Sequence, residues 1–229
     1  MDDSILIQKI RELKISSPTI ADVLDGMEID GVLDGSIHAL NKSVFYIVGY
    51  AYTVQWGTVR KTHNIMKSRE STWDQVKSFL VPEIKCGENL VYMAGSGPLL
   101  TTAALAGGLS ATYFDHIGFE GVILGGAARD AAEINQLDTP ILATNLIPTD
   151  TQGAFRVTNV GESCNIAGKV VATGDLVVSD ENGTVTIPRS SINDVFERAI
   201  AIQSIEEQII RQVKNGANLQ SLIEEYGRI

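Results

Sequence analysis

Apolar positions along the chain switch between a helical and an alternating repeat, and each switch marks a change of element. Leu6, Ile10 and Leu13 fall at helical spacing and predict a helix over Ser4 to Leu13, too short to hold without a core behind it. Ser17-Pro18-Thr19 then reads as a helix start, with Ser17 as N-cap and Pro18 at the first helical position, where its missing N–H costs nothing; Gly26 ends this second helix. Val44 to Val54 is rich in β-branched and aromatic residues and predicts a strand, or a strand pair interrupted near Gly49. From Gln55 to Gly87 the pattern yields only a helix around Trp73 to Phe79. That stretch holds both tryptophans and the cations Arg60, Lys61, His63, Lys67 and Arg69.

Strand character returns at Glu88 to Ala94, followed by Gly95-Ser96-Gly97-Pro98. Its glycine spacing is that of a partial dinucleotide fingerprint, but the third glycine and the acidic residue such a site needs are absent. Leu105, Leu109, Tyr113 and Ile117 recur every four residues and predict a helix within Thr102 to Ile117. Gly107-Gly108 is placed at its opening, because a glycine pair costs a helix interior about 1 kcal/mol per residue, whereas at a start it brings free N–H groups close to an anion. Gly121 to Leu124 fits a buried strand, a short helix runs from Asp130 to Leu137, and Pro140 to Ala143 is the next buried strand. Beyond Gly153 come short strand runs at Val170 to Val171, Leu176 to Val178 and Thr184 to Ile187, the last two joined through Asp180-Glu181-Asn182-Gly183, a hairpin signal. A final helix opens at Ser191 with Asp194 in capping-box spacing, carries Val195, Ala199, Ile202, Ile205, Ile209 and Val213 on one face, and stops at Gly216.

Composition bounds the function. With 229 residues, 44% hydrophobic, the chain is expected to form one domain over 1–229. A net charge of −10 without any Lys or Arg run argues against nucleic acid as a partner. No apolar segment reaches the roughly 20 residues a bilayer requires, and no signal peptide is legible after Met1, so a cytoplasmic protein without membrane contact is expected. Cys86 and Cys164 have no metal-ligand spacing and read as reduced thiols, and His38, His63 and His116 are scattered without a triad or metal pattern.

The candidate chemistry lies in Gly121-Val-Ile-Leu-Gly-Gly-Ala-Ala-Arg129-Asp130. Here a buried strand ends in small residues and an adjacent pair of opposite charges. Beyond the carboxyl end of such a strand Arg129 and Asp130 can hold a small anion or a metal ion; the plain alternative is an ion pair that closes a turn. Asp175 and Asp180 can shape such a site or serve local turn hydrogen bonds.

Four segments in order resemble the family of the regulator of ribonuclease activity A, which includes the 4-hydroxy-4-methyl-2-oxoglutarate aldolases. They are Thr19-Ile20-Ala21-Asp22-Val23-Leu24; Gly107-Gly108 followed by Arg129-Asp130 and Glu133; Gly174 to Asp180 with Gly183 and Pro188; and Glu206-Glu207 before Gly216. The resemblance implies an α/β fold, a compact swivelling β/β/α domain like phosphohistidine domains with terminal helices, assembled as a homotrimer or hexamer. It implies a divalent-metal-dependent pyruvate aldolase with oxaloacetate decarboxylase activity acting on a small 2-oxo acid. In that reading Asp130 anchors Mg²⁺ or Mn²⁺, Arg129 contacts the pyruvyl carboxylate and keto oxygen, and Gly107, Gly108, Leu109 and Ser110 supply backbone N–H groups to the same carboxylate. Glu133, Asp175 and Glu207 are accessory, Glu207 reaching a neighbouring subunit's site. Gly108 stands where many relatives carry Asp. The family's other function, non-catalytic binding to an RNA-degrading enzyme, is the alternative.

Overall fold

The computed structural model describes residues 3–59 and 73–227, and it is organised around β2, Ile47–Thr58. The cations expected between residues 60 and 69 lie outside the described residues. β2 pairs in parallel with β3 (Leu90–Gly95), β3 with β5 (Gly121–Leu124), and β5 with β7 (Ile141–Ala143), whose outer edge takes the short antiparallel β1 (His38–Ala39). On its other side β2 pairs antiparallel with β11 (Leu176–Asp180), which forms a hairpin with β12 (Gly183–Ile187), and its far end carries β8 (Phe155–Val160). β2 runs unbroken through Gly49. Glycine serves close approach there, since a Cβ would come within 3.0 Å of the Asn89 carbonyl oxygen.

Strand alternation sorts the core into two faces. Val48, Val54, Tyr92, Ala94, Val122, Leu124, Ile141, Leu176 and Val178 point to one face, and Ile47, Ala51, Val91, Met93, Ile123, Leu142 and Val177 to the other. Helices cover the first face. Over the β11 side lie α1 (Asp3–Leu13), α2 (Ser17–Gly26) and α6 (Ile192–Lys214), and over the β3–β5 side α4 (Gly108–Ile117), whose Phe114 stacks on Tyr92 at 4.2 Å. The second face is covered in part by Cys164, Ile166 and Val171 of a hairpin, β9 (Ser163–Ile166) with β10 (Lys169–Ala172). Helix, sheet and hairpin layers thus give the expected mixed α/β architecture.

Local boundaries differ where tertiary pairing overrides spacing. Ser16, not Ser17, caps α2, its side chain accepting from the Thr19 N–H. Ser17 instead donates its N–H and hydroxyl to the two carboxylate oxygens of Asp180, both at 2.7 Å. Residues 100–106 form a strand, β4 (Leu100–Ala106), rather than the first turns of a helix, because they pair in parallel with β6 (Gly126–Ala128); helix begins only at Gly108, with Gly107 as its N-cap. The helix after Asp130 is the single turn α5 (Ala131–Ile134). α6 ends at Lys214, and α7 (Leu219–Tyr226), which the sequence pattern did not predict, folds back on it through a Gln212 to Tyr226 hydrogen bond. Both cysteines are free, and burial pushes the Cys164 thiol up to about 12. No helix among the described residues is long and apolar enough to cross a membrane.

Candidate active site

β5 ends at Leu124, and Gly125 and Gly126 carry the chain out of the large sheet into the small one formed by β4 and β6. A Cβ on Gly126 would stand 2.6 Å from the Leu100 carbonyl oxygen, so the crossing requires glycine. β6 then delivers Arg129, whose N–H donates to the Ala106 carbonyl at 3.1 Å, directly beside the N-terminus of α4. Asp130 follows in the left-handed region, φ 64° and ψ 57°. Asp and Asn enter that region more readily than other side chains, and non-glycine residues held there cluster at functional sites.

This backbone aims the Asp130 carboxylate at the helix start. The Gly108 N–H donates to Asp130 Oδ2 at 2.9 Å, while the Gly107 N–H donates to Ser110 Oγ at 3.0 Å. Within the first turn the N–H groups of Leu109 and Ser110 have no intrahelical acceptor, which leaves them for an anion at the positive end of the helix. The Gly108 N–H, expected to serve the substrate, serves Asp130 instead. Both glycines are packed tight: a Cβ at Gly107 would lie 2.6 Å from Asp130 Oδ2, and one at Gly108 2.7 Å from the Cβ of Glu133.

Arg129 sits between two carboxylates. Its Nε is 3.6 Å from Asp130 Oδ2 and its Nη2 3.1 Å from Asp150 Oδ2. All three side chains are about two-fifths exposed, so the ion pairs contribute orientation more than stability. Asp150 escaped the sequence reading, since a lone Asp in Pro148-Thr149-Asp150 carries no motif. Its position follows from backbone pairing, with the Ala104 N–H donating to the Thr149 carbonyl at 2.8 Å, and its other oxygen accepts from the Thr151 hydroxyl and the Gln152 N–H.

A cavity of about 520 Å³ opens at this cluster, lined on one side by Gly107, Leu109, Ser110, Arg129, Asp130 and Asp150. Glu133 packs behind Gly108 and does not line it. Asp175 is likewise remote: it accepts from the Ala172 and Arg189 N–H groups and holds a turn. Asp180 braces α2 against the β11–β12 hairpin; burial alone would raise its carboxyl, but the hydrogen bonds from Ser17 and Asn182 outweigh burial and hold it below the usual range. Glu207, on α6, accepts from Gln203 and lies away from the cavity of its own chain.

Among the described residues no three His, Cys, Asp or Glu side chains gather as a ready-made ligand set. Asp130 Oδ1 has no partner among them, whereas Oδ2 is engaged. One oriented carboxylate oxygen beside open solvent suits Mg²⁺, which keeps several waters and takes one or two carboxylates, and does not suit an ion that demands an all-protein cage.

The chain is similar to known proteins along most of its length. The chain is 28% identical to Protein DlpA of Legionella pneumophila over 223 residues, covering 96% of this chain; it spans about a third, 34%, of that protein's length. A Deinococcus radiodurans protein with the provisional name 4-hydroxy-4-methyl-2-oxoglutarate aldolase is 32% identical over 105 residues, 46% of this chain and 64% of that one. The crystal structure of Streptomyces coelicolor RraAS2, described as an unusual member of the RNase ES inhibitor RraA family, superposes with a TM-score of 0.74 at 24% identity, covering 93% of this chain and all of that one. Residues 17–186, which hold every side chain of the Arg129 cluster, match the RraA-like profile described as Aldolase/RraA, and the chain belongs to that family.

Proposed function

We propose that the protein is a divalent-metal-dependent lyase that cleaves 4-hydroxy-2-oxo acids to pyruvate and decarboxylates oxaloacetate at the same site. The observation that carries this reading is the placement of Arg129 and Asp130 together at the mouth of α4, on the wall of a cavity, with two backbone donors left over. Family membership and the provisional name of the Deinococcus relative support it. Bound Mg²⁺ or Mn²⁺, held by Asp130 Oδ1, would supply Lewis-acid stabilisation of the charge that develops on the C2 oxygen.

The chain's own groups do the rest. The Leu109 and Ser110 N–H groups receive the substrate carboxylate, and the Arg129 guanidinium spans carboxylate and C2 oxygen, held in orientation by Asp130 and Asp150. In cleavage the C4 hydroxyl loses its proton, the C3–C4 bond breaks, C4 becomes a carbonyl and the electron pair passes through C3 to the C2 oxygen. Protonation at C3 then gives pyruvate. In oxaloacetate CO₂ leaves and the same enolate forms. No lysine among the described residues lines the cavity, and this route requires none.

The test is pyruvate release from oxaloacetate with and without Mg²⁺. Turnover that requires the metal, and an Asp130→Asn protein that stays folded while its Mg²⁺ affinity drops in calorimetry, are expected. Asn tolerates the left-handed backbone, so this substitution isolates the charge. A protein without metal-dependent turnover is instead the non-catalytic member, a binder of an RNA-degrading enzyme. The same reading assembles the chain as a trimer or hexamer in which Glu207 approaches a neighbour's site, supported by exposed Ile210, Val213 and Leu219 near it on α6 and α7. Light scattering that gives a stable monomer at micromolar concentration would overturn the assembly.

A further inference from the structure

The half of the cavity away from Arg129 has a different chemistry. β8 passes with Phe155 and Val157 turned toward the core and Arg156 toward solvent, as strand alternation dictates. Facing them is α3 (Trp73–Leu80), from which Phe79 and Leu80 pack on the same cluster; Trp56 and Leu105 close the wall, Trp56 5% exposed and its ring 5.5 Å from that of Phe79. Among the described residues the charged groups that line this side, Asp74 and Arg156, stand at its exposed rim. Asp74 is exposed and paired with Lys77 at 2.7 Å, and the exposed Arg156 keeps its charge in water. The cavity volume falls in the range of about 300–1,000 Å³ that encloses drug-sized ligands, so a pyruvyl group at Arg129 leaves most of it for whatever is attached to C4.

Building on the lyase reading, we infer that Trp56, Phe79, Leu80, Phe155 and Val157 form a specificity wall for an uncharged, apolar C4 substituent, aryl or branched alkyl, rather than a second carboxylate. Among the described residues that line this wall no cation is buried, so a carboxylate against them would lose its hydration without a charge to receive it. An apolar group there gains burial, and in hydrophobic pockets even one methylene discriminates by about 10–200-fold.

The test uses binding as well as turnover, so that its result does not depend on catalysis. In calorimetry with Mg²⁺ present, 2-oxo-4-phenylbutanoate, which lacks the C4 hydroxyl and cannot be cleaved, is expected to bind at least about tenfold more tightly than 2-oxoglutarate. Phe79→Ala is expected to shrink that ratio severalfold, and Phe79→Leu, which keeps the wall apolar, to retain most of it. In turnover, kcat/KM for 4-hydroxy-2-oxo-4-phenylbutanoate is expected to exceed that for 4-hydroxy-2-oxoglutarate by a similar factor. Equal or tighter binding of 2-oxoglutarate, or a ratio that Phe79→Ala leaves unchanged, overturns the inference. Selective binding without turnover of any compound refutes the lyase reading and leaves the apolar wall standing.

Discussion

Replacing Gly108 by alanine separates a crowded functional junction from an ordinary helix start. In an unobstructed helix position Gly→Ala stabilises by about 0.4–1 kcal/mol through the unfolded chain. At Gly108 the new methyl would lie 2.7 Å from Glu133 Cβ, 3.0 Å from Glu133 Cγ and 3.1 Å from Asp130 Cβ. Carbon pairs prefer about 3.5–4.0 Å, and two of these atoms are Cβ positions fixed by backbone, so α5 must move away from α4. Overpacking of this kind costs about 1–3 kcal/mol. Set against the alanine gain, the net destabilisation is about 1–2 kcal/mol, which lowers Tm by about 2–8 °C for a chain of this size. The same movement stretches the hydrogen bond from the Gly108 N–H to Asp130, so Mg²⁺ affinity should fall together with Tm. Gly108→Asp adds a third carboxylate beside Asp130 and Glu133 and should fare worse than alanine. Thermal melts and Mg²⁺ calorimetry on both variants check this. A Gly108→Ala protein that melts above the parent and binds Mg²⁺ as well would refute the packing argument.

Two further outcomes follow from the site and its supports. Arg129→Lys should lower kcat/KM for oxaloacetate by about 10²–10³-fold, because an ammonium cannot bridge Asp130 and Asp150 while facing substrate, and Asp150→Asn, which only positions Arg129, by about 10–100-fold; steady-state assays in which Asp150→Asn matches the parent would remove Asp150 from the site. Asp180, with its folded pKa held below the unfolded value, stabilises the fold above the unfolded pKa of about 3.9 and loses that contribution as pH falls through the lower folded value. Asp180→Asn should therefore be less stable than the parent at neutral pH, with the gap closing in acid. Urea titrations showing a gap independent of pH would contradict that sign.

The parts of this molecule legible in its sequence are those set by local pattern. Gly107-Gly108 opens α4 as its spacing predicted, the Asn182-Gly183 turn closes the β11–β12 hairpin, and Arg129-Asp130 follows a buried strand. What could not be read depended on pairing across the chain. β4 carries residues spaced like a helix and becomes a strand because β6 lies beside it. Asp150 reaches Arg129 only because its backbone pairs with Ala104. The apolar wall draws on Trp56, α3 (Trp73–Leu80) and β8 (Phe155–Val160), and no motif spans the distance between them. Asp180 looked like a turn residue or a site residue and is the buried acceptor for Ser17, 163 positions earlier.

That last link bears on the order in which the molecule can be assembled. α2 buries its apolar face against β11, β12 and α6, whereas α1 lies on β2, with Arg11 donating to the Val48 carbonyl at 2.8 Å, and the Leu13 carbonyl accepts from Gln203. During synthesis α2 is therefore made long before the surface it rests on exists. Helices of this length are marginal alone, and contacts so distant in sequence form late. α2 must wait, exposing Ile20 and Leu24 until β11, β12 and α6 arrive, which makes it a segment that needs protection during synthesis.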